Sequence, residues 1–188
     1  PTRVYNNAPP NMALIWAGSI AQGDNEYLVY GEESLSYAQV HQKVDALAAH
    51  LSSVGVGHGD RVAVSMRTYP EWVVTYWATI KIGAALVGMK AWWTTPEMEF
   101  GIADSTPKAL VVDGERLERV APVLSSLRAE NPLHVLVVRS EGDLPEDALH
   151  WEDALAAAAD LPPAPALDIS PEDDICVFYT SGTTGRPK

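Results

Sequence analysis

The sequence predicts an α/β fold: a mostly parallel sheet with helices on both faces. Three observations predict it. Short, almost continuously apolar runs (RVAVSM, AALVGM, ALVVD, HVLVV and ICVFYT) recur along the chain, as strands do when both faces of their sheet are covered. Stretches with apolar residues at helical spacing alternate with these runs. Glycines and prolines punctuate the joins.

EYLVYGEESLSY has two short apolar runs around Gly31 and predicts a hairpin. In SYAQVHQKVDALAAHLSSVGVG, Val40, Val44, Leu47, Ala48, Leu51 and Val54 keep helical spacing, with Ser36 as the expected cap and Gly55 or Gly57 as the stop. RVAVSM is a buried strand, PEWVVTYWATIKIG a helix opened by Pro70, and AALVGM another strand. The next helix starts at TTPEMEF, where Thr94 or Thr95 caps, Pro96 fits the first turn and Glu97 faces the positive end of the helix. ALVVD is a strand, RLERVAPVLSSLRA a helix kinked or restarted at Pro122, HVLVV a strand and HWEDALAAAAD a helix. The proline- and acid-rich segment LPPAPALDISPEDD is an extended connection, and ICVFYT is the last strand. No internal repeat is present.

Composition narrows the function classes. The 188 residues are 47% hydrophobic and 20% charged, ordinary for a globular domain with a sizeable core. The formal charge of −12 repels phosphate backbones and anionic membrane surfaces, which argues against a nucleic-acid partner. The single cysteine, Cys176, lies in an apolar run and is expected to be a buried strand thiol; with no internal disulfide available, a cytoplasmic location is expected. The opening PTRVYNNAPP lacks the pattern of a secretory signal and lacks Met, so a trimmed or processed N-terminus is expected. The apolar stretch Trp72–Met89 contains Lys81 and Gly83, and it is expected to be a buried helix followed by a buried strand and not a transmembrane segment.

The closing YTSGTTGRPK carries the chemistry. It leaves the carboxyl end of a strand, where open α/β sheets bind ligands. Gly182 and Gly185 can adopt positive φ and leave backbone N–H groups unobstructed, Thr180, Ser181, Thr183 and Thr184 add hydroxyls, and Lys188 adds a cation. A Gly/Ser/Thr surface turn is the plain alternative, but small donors converging on a lysine directly after a strand favour a phosphate cradle. The spacing is not that of a Walker A loop, because only two residues separate the glycines and Arg–Pro precedes Lys188.

YTSGTTGRPK resembles the phosphate-binding signature of the adenylate-forming superfamily, which contains acyl-CoA and aryl-CoA synthetases, amino-acid-activating domains and firefly-type luciferases. SLSYAQV, GVGHGDRVAV, PEWVVTYWATIKIGAALVG, TPEMEF and ALVVD follow in that family's order, and MRTYPEWVV with AWWTTPEMEFGIADS is most similar to a bacterial acyl-CoA ligase branch. The resemblance implies a two-step reaction: a carboxylate attacks the α-phosphate of ATP to give an acyl-adenylate, and coenzyme A then displaces AMP. It further implies that Thr180, Ser181, Thr183, Thr184 and Lys188 contact the β- and γ-phosphates while Gly182 and Gly185 shape the turn. Mg2+ would bridge the phosphates, with its family ligand beyond Lys188. On this resemblance residues 1–188 are an N-terminal portion of the large domain, with residues 162–174 an internal connection and 180–188 the phosphate loop. The rest of that domain and the small C-terminal domain would be absent, no catalytic residue would lie within the chain, and the chain alone would be inactive. The substrate implied is a fatty or aromatic carboxylic acid. Two other readings stay open: a different adenylate former such as an amino-acid-activating domain, and a short non-catalytic nucleotide-binding or interaction module.

Other candidates are weaker. His41, His50, His58, His134 and His150 lack metal-ligand spacing. Glu172–Asp174 is expected to be a solvated turn, and GVGHG precedes a strand instead of following one, unlike a dinucleotide fingerprint. Within the resemblance the chain departs at Gly88–Lys90, where many relatives carry Pro or Asn, and at Trp92 and Trp93, a pair expected to serve packing.

Overall fold

The computed structural model describes Asn7, residues 9–180 and Pro187. Six parallel strands form the main sheet: β3 (Arg61–Ser65), β4 (Ala85–Gly88), β5 (Ala109–Asp113), β6 (His134–Val138), β7 (Ala148–His150) and β8 (Cys176–Phe178), in the order β7-β6-β5-β3-β4-β8. Successive side chains point to opposite faces, so each strand feeds two cores. Val62, Val64, Leu86, Val111 and Leu136 meet α2 (Tyr37–Ser53), α3 (Pro70–Lys81) and α6 (Trp151–Ala157) on one face. Ala63, Val87, Leu110, Val112 and Val137 meet α4 (Thr95–Ser105) and α5 (Gly114–Glu130) on the other. The predicted layer order is therefore present, and it explains the uninterrupted apolar strand runs. Trp72–Met89 divides into most of α3 and all of β4, and no described helix is long and apolar enough to cross a membrane.

Local signals placed the helix starts well. Ser36 caps α2 in a reciprocal box with Gln39: Gln39 N–H donates to Ser36 Oγ and Ser36 N–H to Gln39 Oε1, at 3.3 and 2.8 Å. Thr94 and Glu97 do the same for α4. Gly55, at φ +85°, turns the chain out of α2 into the approach to β3.

Four expectations need correction. The helix containing Pro122 does not restart there but runs unbroken from Gly114 to Glu130. Burial of Leu117, Val120, Leu124 and Leu127 against the sheet offsets the backbone hydrogen bond that Pro122 cannot donate. His150 ends the short strand β7, so the helix predicted from His150 begins at Trp151. Cys176 is half-buried instead of enclosed, because β8 is an edge strand that pairs with β4 on one side only among the described residues. The Trp92–Trp93 pair splits: Trp93 is buried, while Trp92 is 71% exposed. The sequence reading also passed over a short helix, α1 (Met12–Gly18), capped by Asn11 and anchored by buried Trp16, which stacks on His41 and Trp77.

A hairpin of β1 (Glu26–Tyr30) and β2 (Glu33–Ser36) lies beside the sheet. Arg139, just past β6 and left-handed at φ +50°, ties it down. Its guanidinium donates to both carboxylate oxygens of Glu33 at 2.9 and 2.7 Å and to Glu71 on α3 at 3.0 and 3.1 Å, and its central carbon lies 5.0 and 4.7 Å from the ring centroids of Tyr30 and Tyr69. Hydrogen bonding from Arg139 holds the Glu33 carboxyl below its ordinary value of 4.5. A lowered folded-state value means that the contribution is complete above the unfolded-state value and is lost as pH falls through the folded-state one. The urea midpoint of the wild-type chain should therefore exceed that of Glu33→Gln at neutral pH and converge with it as pH drops below about 4. A difference that persisted at pH 2 would show that the charge of Glu33 is not its source.

Candidate active site

All six strands of the main sheet run the same way, so their carboxyl ends share one edge. The chain steps from β3 to β4 on one side and then places β5 on the other, and the helices after β3 and β5 lie on opposite faces. Such a reversal opens a crevice at the carboxyl edge. Three connections meet there: residues 66–69 after β3, 89–94 after β4, and the direct turn from β5 into α5.

Asp113, at the end of β5, organises the crevice. It caps α5 by accepting from Arg116 N–H at 3.0 Å, and it accepts from the Arg67 backbone N–H at 3.1 Å. The Arg116 side chain, 1% exposed, donates Nη1 to Asp113 at 3.1 Å and to Glu115 at 2.8 Å, and Nε to the Ala91 carbonyl at 2.7 Å. Arg119 adds bonds to the carbonyls of Ala91 and Trp93 at 3.0 and 3.1 Å. Two arginines thus fasten the β4–α4 connection to the start of α5. Burial works upward on the Glu115 carboxyl, but Arg67, Arg116 and Arg119 outweigh it and hold the group below its ordinary value. Over this cluster the exposed indole of Trp92 faces the guanidiniums of Arg67 and Arg116 at 5.3 and 5.7 Å. One buried donor of this cluster, Arg116 Nη2, has no partner among the described residues. The reading of the sequence missed this cluster; the signal available was the arginine spacing Arg116–Arg119 beside a capping Asp.

Of the predicted phosphate-binding residues, Ser181, Gly182, Thr183, Thr184, Gly185 and Lys188 lie outside the described residues, and Thr180 is described at the exit of β8. Both flanks of the signature reach α4. At one end the Tyr179 hydroxyl donates to Asp104 at 2.6 Å, and its ring meets Trp93 and Phe100 edge-on at centroid separations of 5.4 and 6.5 Å. Burial first, then the Asp104 carboxylate, pushes the Tyr179 hydroxyl up to about 12, so it keeps its proton and remains a donor throughout the neutral range. At the other end Pro187 is buried and shares a groove of about 620 Å³ with Pro96, Phe100 and Ala103 of α4.

Gly101 makes the α4 seat possible. A Cβ there would stand 2.5 Å from the Trp93 ring. Gly101→Ala would regain about 1 kcal/mol of helix propensity, but the ring is enclosed and must move, an overpacking cost of about 1–3 kcal/mol. The variant is expected to lose about 1 kcal/mol in urea unfolding, and a gain in stability would show that Trp93 yields freely.

The histidines have separate surroundings except for His50 and His134: burial first, then the nearby His134, lowers the proton affinity of His50. His41 donates to or accepts from Ser19 Oγ at 3.0 Å, and burial lowers its proton affinity; His58 pairs with Asp173 at 2.7 Å. Glu172–Asp174 lies in the turn before β8. Among the described residues no three His, Cys, Asp or Glu side chains gather as a metal site.

Comparison with known proteins places this geometry. Residues 18–188 match the family described as AMP-binding enzyme. The chain is 34% identical over 169 residues to a medium/long-chain-fatty-acid–CoA/3-oxocholest-4-en-26-oate–CoA ligase of Mycobacterium marinum, covering 88% of this chain and 30% of that protein. It is 30% identical over 168 residues to a 3-hydroxybenzoate–CoA/4-hydroxybenzoate–CoA ligase of Thauera aromatica, covering 88% of this chain and 31% of the relative. The crystal structure of the anthranilate CoA ligase AuaEII in complex with anthranoyl-AMP superposes with a TM-score of 0.85 at 26% identity, over 97% of this chain and 35% of that one. The chain thus spans about a third of the length of these relatives.

Proposed function

The chain belongs to the AMP-binding enzyme family, and from that membership we propose that it forms the N-terminal part of the large domain of an ATP-dependent ligase that joins a fatty or aromatic carboxylic acid to coenzyme A through an acyl-adenylate. The observation that carries this reading is the placement of the signature. Tyr179 and Thr180 emerge at the carboxyl edge of the parallel sheet, at β8 beside β4, with the switch-point crevice one strand further on. Hydroxyl and backbone donors of Thr180, Ser181, Thr183 and Thr184, together with the Lys188 ammonium, would meet the β- and γ-phosphates of ATP. Fixed donors there would stabilise the charge that develops on departing pyrophosphate without needing to reorganise. The names of the relatives support both aliphatic and aromatic acids as substrate classes. A single half-buried thiol, Cys176, and the absence of a spanning helix among the described residues fit a cytoplasmic enzyme.

The 188 residues by themselves are proposed to be inactive. A cradle for the triphosphate end must desolvate a strongly hydrated anion against a net charge of −12. Contacts to adenine, ribose and acyl group would have to come from elsewhere, and each tenfold of affinity requires about 1.4 kcal/mol. The test is acid-dependent exchange of labelled pyrophosphate into ATP, followed by thioester formation with coenzyme A, across fatty and aromatic acids. The whole gene product should exchange with some of these acids, while residues 1–188 alone should not. Exchange by the 188-residue chain alone would overturn the incomplete-site reading, and silence from the whole product across the panel would overturn the ligase assignment. Transfer to a carrier-protein thiol instead of coenzyme A would move the assignment to an amino-acid-activating type.

A further inference from the structure

The start of the signature rests on one helix, and side chains distant in sequence make that contact. Asp104, on the last turn of α4, accepts the Tyr179 hydroxyl at 2.6 Å. Phe100, one turn earlier, meets the Tyr179 ring and lines a groove that Pro187 also lines. Trp93 closes the far side of Tyr179, held there by the absence of a side chain at Gly101. The β8 strand does little to fix this exit. It is only three residues long, it is an edge strand among the described residues, and Phe178 is 67% exposed.

We propose that Asp104, Phe100 and Tyr179 form a positioning clamp that sets where the phosphate-binding signature leaves the body of the protein. None of the three is assigned contact with substrate; they act through the backbone at Thr180. The inference rests on reading the signature as the triphosphate site. If the clamp keeps the signature stems in the binding-competent arrangement, weakening it lowers the competent fraction before ATP arrives. The apparent affinity for ATP then falls by that fraction, and saturating ATP restores the arrangement. A change in overall fold integrity would instead reduce the amount of active enzyme at unchanged affinity.

In the whole gene product, Tyr179→Phe should raise KM for ATP roughly three- to tenfold, the reach of one hydrogen bond, with kcat and KM for the acid within about twofold of wild type. Asp104→Ala should approach it, leaving the hydroxyl only the Gly101 carbonyl at 3.4 Å, and the double variant should be no worse than Tyr179→Phe, which already removes both bonds. Asp104→Asn keeps an acceptor oxygen and should restore the wild-type KM. An unchanged KM for ATP in Tyr179→Phe, or additive losses in the double variant, would overturn the clamp. A second readout needs no activity: backbone amides over Val177–Thr180 should exchange with deuterium faster in Tyr179→Phe than in wild type, with the amides of β3 and β5 unchanged. Equal exchange would overturn the clamp whether or not the protein is a ligase, whereas silence of the wild-type enzyme toward every acid would count against the functional reading alone.

Discussion

Replacing Thr183 and Thr184 together by alanine is expected to depress acid-dependent pyrophosphate exchange by the whole gene product roughly ten- to a thousandfold. The magnitude comes from the transition state. As the bond between the α- and β-phosphates lengthens, charge accumulates on the departing pyrophosphate, and each fixed donor aimed at it stabilises that charge more than it stabilises bound ATP. Removing donors of this kind costs about 1.4–4 kcal/mol, which spans the stated range. The fall should appear in kcat as well as in kcat/KM, which separates a phosphate-binding role from the affinity-only effect expected at Tyr179. Serine at both positions should recover much of the rate because it returns the hydroxyls. Exchange unchanged in the double alanine variant would remove these residues from the site.

Asp113→Ala is expected to destabilise the fold by about 3–5 kcal/mol, because it leaves a buried guanidinium without its enclosed partner. The carboxylate caps α5, holds the β3–α3 connection through Arg67 N–H, and neutralises Arg116, whose side chain is 1% exposed. Glu115 remains 2.8 Å from the same Nη1 but is itself largely open to water, so it offsets only part of the loss. Asp113→Asn keeps an acceptor for the cap and removes the charge, and should fall between the wild type and the alanine variant. Urea unfolding of the 188-residue chain measures both. A loss below about 1 kcal/mol for Asp113→Ala would mean that the cluster is not built around this residue.

The sequence was informative wherever one residue's own surroundings settle its state. Continuous apolar runs mark β3, β4, β5 and β6 because strands covered on both faces have no polar side to display. Ser36 with Gln39, and Thr94 with Glu97, announce helix starts because capping is local chemistry over three residues. It was less informative where a partner far along the chain decides. Ala148–His150 becomes a strand only because β6 offers an unpaired edge, and nothing in those three residues says so. Pro122 reads as a break, yet the buried stripe around it keeps the helix whole. At the candidate site the signature itself was legible as a string, whereas its seat on α4 was not, since Tyr179 and Asp104 stand 75 positions apart. Likewise Arg116 looks like a solvated helix charge until β5 and the β4–α4 connection close around it.

The strand order has a consequence for how the site is assembled during folding. β3, β4, β5 and β6 are joined by short crossovers and can pair as the chain collapses, each closing a modest loop. β8 is different: Leu86 must find Cys176 across the whole of β5, α5, β6, β7, α6 and the proline-rich connection. Such distant pairing is slow, because the closure entropy falls due before the contacts are made. It adds one short strand to an edge that is already formed, so with β7 at the opposite edge it is among the easier pairings to reverse. β8 is therefore expected to pair late and to detach readily, and Tyr179 and Thr180, which follow it directly, are expected to depend on that pairing for their place at the edge of the sheet.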